Sequence, residues 1–84
     1  MEQLNTGLML VKVVWRDASN SGCWETFEEA MSHGVATVES VGHLIDSNDE
    51  FLLLAHGVSN TYMLLSVETI PAENVLSITE LKEI

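Results

Sequence analysis

The residues best equipped for chemistry concentrate in VWRDASNSGCWE, positions 14–25. Two aromatic rings, Trp15 and Trp24, bracket a run of hydrogen-bonding groups: Asp17, Ser19, Asn20, Ser21 and the backbone amides around Gly22. Rings beside donors and acceptors are the makings of a small-ligand pocket, because stacking supplies affinity and hydrogen bonds supply orientation. Arg16 adds a planar cation that can pair with phosphate. On this reading the ligand-binding residues are Trp15, Arg16, Asp17, Ser19, Ser21 and Trp24. A structural reading competes with it: the two tryptophans fill a barrel and its rim, and the segment between them only turns the chain.

Bond-making chemistry finds less support. A nucleophilic Cys23 needs a base and an orienting group. Its neighbours are Trp24 and Glu25, and a nearby carboxylate opposes thiolate formation. His33, ten residues on, is the nearest histidine in sequence. No glycine-rich nucleotide loop, H-E-x-x-H or serine elbow occurs, so no catalytic residues are assigned and the chain is not read as an enzyme. His43, Asp46 and Asp49 at three-residue spacing, with His56 across a hairpin, are residue types that bind transition metals. In a strand, however, positions 43 and 46 face opposite sides, and turns favour Asp for backbone reasons, so neither a metal nor a cofactor is expected.

Charge excludes further classes. Thirteen acids against Lys12, Arg16 and Lys82 give a formal net charge of −10. Nucleic-acid affinity comes largely from Lys and Arg neutralising phosphates, so direct nucleic-acid binding is not expected. A basic protein partner, or solubility alone, fits better. The single cysteine cannot form an internal disulfide, which suits a reducing cytosol. The apolar runs LMLVKVVW and FLLLA fall well short of the ~20 residues that span a bilayer, and MEQLNTG lacks a basic leader region. A soluble cytoplasmic protein is the expectation.

The chemistry-bearing segment must be held by the elements around it. Eighty-four residues, 46% of them apolar, predict one domain over 1–84 with a small core. LMLVKVVW, residues 8–15, reads as a strand with Met9, Val11, Val13 and Trp15 on one face, ending where DASNSGCWE begins. Thr26 to Glu29 fits a capping box and predicts a short helix over 27–32, stopping at His33 and Gly34, with Phe27, Ala30 and Met31 on its buried side. Further strands are predicted over 35–45, bent at Gly42, then 51–56, 61–70 and 75–78, with hairpin turns at DSNDE and GVSN and one helical turn over 71–74. The fold class is mainly β: a small five-stranded antiparallel barrel with one short helix. Both faces of several strands are apolar, more than a small interior holds, so a homo-oligomer is expected unless the helix and N-terminal arm cover the surplus.

VGHLIDSNDEFLLLA followed by YMLLSVETIPAENVLSI resembles the Sm-like and SH3-like small barrels, with a bent strand, a hairpin and a turn before a short last strand. The aspartate and asparagine pattern with which Sm proteins bind uracil is not reproduced by Asp46 to Asp49, so RNA binding is not implied. The order VVWRDASNSGCW, VGHLI, IPAENVLSI also resembles small accessory proteins of tailed bacteriophages and prophages. That resemblance implies a phage accessory protein, in the host cytoplasm, and such proteins are frequently of unassigned role or act against host defence. Combined with the loop's chemistry, it leads to the expectation of a non-enzymatic protein that sequesters a small nucleotide-like signal in pockets between subunits. The alternatives are an acidic inhibitor of a host nucleic-acid-binding or defence protein, and a structural or assembly part of the phage particle.

Overall fold

The structure, a computed structural model, describes residues 4, 6–18 and 24–82. Five strands run in chain order: β1 Leu10–Ala18, β2 Val35–Ser47, β3 Phe51–Val58, β4 Leu64–Pro71 and β5 Val75–Glu80. One helix, α1 Phe27–Met31, lies between β1 and β2, and a 3-10 turn, Ala72–Asn74, joins β4 to β5. All pairings are antiparallel, in the order β4-β3-β2-β1-β5. The protein is mainly β, with a small barrel-like fold.

The curl of the sheet follows from connectivity. Five strands laid flat put their edge strands four spacings of ~4.8 Å apart, about 19 Å. Yet β4 and β5, the two edges, are joined through the three residues 72–74. Four Cα steps reach at most about 14 Å. The sheet must therefore bend back on itself, and Gly42 marks a close approach in that bend. A Cβ placed there would stand 2.9 Å from the Ala55 carbonyl oxygen and 3.3 Å from Leu54 Cβ, so glycine alone fits unless the backbone shifts. Two steps along, β2 carries a bulge between Leu44 and Asp46, which adds to the local bend and twist.

Alternation selects the core. Val11, Val13 and Trp15 project inward from β1 and meet Leu52 and Leu54 of β3 and Ile70 of β4, all at most 7% exposed. Val38, Leu44 and Val75 pack around this cluster. Of the two largely apolar faces of β1, the one carrying Val11, Val13 and Trp15 lies in the core, while Met9 is 46% exposed and Leu10, on the other face, 38%. Glu68 lies opposite Leu54 on edge strand β4, and an inward-pointing charge there blunts an edge that would otherwise invite pairing.

The boundaries differ from the sequence expectation in informative ways. β1 runs on through Arg16, Asp17 and Ala18, because those residues pair with Thr37, Ala36 and Val35 of β2. Long-range pairing thus overrides the turn preference of Asp17. The turn after β2 narrows to 48–50, where Asn48 Oδ1 accepts the amides of Glu50 (2.8 Å) and Phe51 (3.0 Å). After β3, Ser59 Oγ accepts the amide of Met63 at 3.0 Å, and Tyr62 takes φ 59°. This turn occupies the start of the predicted strand over 61–70, so β4 begins at Leu64.

The sheet also forks beside Gly42. Past Trp15 paired with Val75, β1 continues with β2 alone to Ala18; past Ala55 paired with His43, β3 continues with β4 alone to Val58. Two two-stranded ribbons therefore leave the barrel. The chain measures 55 × 26 × 23 Å, with a radius of gyration of 16.4 Å. A compact chain of this length has a radius near ~12 Å.

Candidate functional site

Of the residues singled out by chemistry, Trp15, Arg16 and Asp17 lie on β1 and Trp24 just ahead of α1, and the structure gives them different surroundings. Trp15 belongs to the core. Its ring is 7% exposed and its indole N–H donates to Ser40 Oγ at 3.0 Å, a buried bond between diagonal neighbours on the inner face. That bond satisfies the one polar atom of the side chain, and burial leaves no ring face open for stacking in the single chain. Trp24 is the opposite case, fully exposed just ahead of α1. Arg16 and Asp17 are both exposed on the outer stretch of the ribbon. Ser19 and Ser21, with Asn20, Gly22 and Cys23, lie outside the described residues.

Helix α1 forms as its sequence predicts but does not pack as predicted. Thr26 caps it, its Oγ1 accepting the Glu29 amide at 3.1 Å, and Glu28 and Glu29 place negative charge at the positive end of the helix dipole. Ser32 closes the last turn, one residue before the predicted stop. A contact of 2.8 Å between His33 Nε2 and Glu25 ties the two ends of this small unit together. The expected buried face is exposed: Phe27 at 84% and Met31 at 75%, with no buried residue in the helix. The physical reason is its position between the ends of β1 and β2, where no other element packs on it among the described residues.

The candidate metal ligands do not converge. Asp46 serves the turn, its Oδ1 accepting the Ser47 amide at 2.9 Å. Asp49 and His56 are exposed. His43 Nδ1 and Glu68 Oε1 are buried without a hydrogen-bond partner among the described residues. Among those residues no group of three His, Cys, Asp or Glu is placed to hold a metal ion, and no helix is long and apolar enough to cross a membrane.

Sequence reasoning missed a second feature, on the other ribbon. Gly57, Val58, Ser59, Met63, Leu64 and Leu65 line an open recess of ≈ 410 Å³ where β3 turns into β4. Tyr62, Met63 and Leu65 beside it are each at least 67% exposed. The available signal was a run of apolar residues too long for one strand face; reading it as strand from Thr61 concealed that it forms a turn with a concave side. Comparisons with protein families, curated proteins and solved structures find no match for this chain.

Proposed function

We propose that this chain is a non-enzymatic binding protein of the phage accessory type, which sequesters a small nucleotide-like signalling molecule and so blunts a host defence. The observation that carries the reading is the full exposure of Trp24, just ahead of α1, together with the exposure on β1 of Arg16, one of only three basic side chains. An open indole face suits a base, and a guanidinium suits a phosphate. Asp17, also exposed, offers acceptors to sugar hydroxyls. Trp15 takes no part in stacking; its role is to hold the root of the ribbon. The working form is an assembly of identical copies, with the ligand between them.

Calorimetry of the folded protein with a panel of cyclic di- and trinucleotides and cyclic ADP-ribose forms tests this. Binding heat that disappears in Arg16→Ala and in Trp24→Ala is the expected result. No heat from any member of the panel overturns it. A second reading, inhibition of a basic host protein, is favoured by the net charge of −10. Salt separates the two, because an acidic-to-basic complex weakens steeply as ionic strength rises, whereas a stacked small ligand does so much less.

A further inference from the structure

The outer face of β1 carries a charge pattern opposite to that of the whole chain. Val11, Val13 and Trp15 point into the core, so Lys12, Val14 and Arg16 point outward. Their cross-strand partners share that side: Val41, Glu39 and Thr37 on β2, and Thr79 and Ser77 on β5. Two of the three basic side chains of the protein thus stand on one strand face, flanked by the hydroxyls of Thr37, Ser77 and Thr79. Glu39 is the one carboxylate at these positions. In a chain with thirteen acids a cation has many candidate partners, yet neither Lys12 nor Arg16 is ion-paired among the described residues. Glu39, opposite Val14, is a diagonal neighbour of both and pairs with neither.

We propose that this face binds a ligand with two separated phosphates, one held by Arg16 and Thr37 and the other by Lys12 and Thr79, with Glu39 between them accepting a sugar hydroxyl. This rests on the nucleotide reading above and narrows it to ligands whose phosphates flank a sugar. Positions 12 and 16 are about 13 Å apart along the strand, at ~3.3 Å per residue. Both side chains are long and can lean toward each other, so phosphates on either side of one sugar fall within their common reach. Arginine offers a planar fork to one phosphate, and lysine a point charge to the other. Glu39 supplies the selection. A contiguous polyphosphate laid between the two cations sets its middle charges against that carboxylate, a repulsion that separated phosphates avoid. A locally positive face also gives an anion a place to approach a chain of net charge −10.

Calorimetry with AMP, cyclic di-AMP and ATP tests the ligand class. Cyclic di-AMP should bind more tightly than either of the others. Lys12→Gln and Arg16→Gln should each weaken it about tenfold, the size of one lost charge-assisted bond. Glu39→Gln should strengthen ATP. All three positions are at least partly open to solvent, and the near-ultraviolet circular dichroism of Trp15 checks that each variant keeps the barrel. Affinity for cyclic di-AMP indifferent to Lys12→Gln, or ATP bound as tightly as cyclic di-AMP, overturns the proposal and leaves nucleotide binding through Arg16 and Trp24 standing. So does heat from cyclic ADP-ribose alone, whose two phosphates are joined. Titration with inorganic phosphate, followed by amide NMR, separates the face from the nucleotide reading. Shifts centred on residues 12, 16, 37 and 79 without heat from any nucleotide support the anion face and defeat that reading. No shift at those amides overturns the face.

Discussion

The barrel and the two ribbons that leave it are built from similar residues put to opposite uses. In the barrel, alternation along β1 turns Val11, Val13 and Trp15 inward against Leu52, Leu54 and Ile70, and every one of them is nearly closed to solvent. Outside the barrel, in α1, just ahead of it and in the segment from the β3–β4 turn into β4, Trp24, Phe27, Met31, Met63 and Leu65 are as apolar and are open. What differs is the number of layers. A strand inside the curl has the far wall of the barrel across from it; a two-stranded ribbon has no such wall among the described residues. Apolarity in this chain therefore marks a core where the sheet closes and an exposed surface where it forks.

The two tryptophans give the strongest way to break that comparison. Trp15→Ala should cost about 3–5 kcal/mol, as removal of a large buried ring does, and should unfold much of the population in a domain this small. Trp24→Ala should move the urea midpoint of the isolated chain by no more than ~0.5 kcal/mol equivalent. Similar midpoints for the two variants would erase the distinction between barrel and ribbon. The fork itself is tested next. Gly42→Ala drives a Cβ against the Ala55 carbonyl, and overpacking of this kind costs about 1–3 kcal/mol. Thermal melts should show the loss, and an unchanged melting temperature would mean that the strands can separate there without penalty. Among the changes inside the barrel the smallest effect is expected at Ser40→Ala, which leaves the Trp15 indole N–H buried without its acceptor. A loss of about 1 kcal/mol, at the low end for an orphaned buried donor, should appear in denaturant titration together with a shift in Trp15 emission.

Much of the barrel was legible because its signals are local. Alternation over residues 11–15 put Val11, Val13 and Trp15 on one face, Thr26 named the helix start, and Gly42 marked a place where the strands approach closely. The ribbons were less legible because their structure depends on partners distant in sequence. Asp17 prefers turns, yet the pairing with Ala36 holds it in a strand. Phe27 and Met31 share a helix face by spacing, but spacing cannot say whether anything covers that face. Of the candidate site, Trp24, Arg16 and Asp17 are each exposed, and Trp15 is not, because a tryptophan that continues the alternation of Val11 and Val13 inherits their side of the sheet.

The position of β1 has a consequence for how the chain acquires its shape. β1 is bonded on one side to β2 and on the other to β5, which begins some sixty residues later, at Val75. Loops that long close at an entropic cost before their contacts reward it, and folds dominated by such contacts form slowly. On a ribosome, β1 can pair with β2 early. Its second edge then stays open until β5 has been synthesised, so the inner face of Val11, Val13 and Trp15 is most vulnerable to mispairing in the interval between those two events.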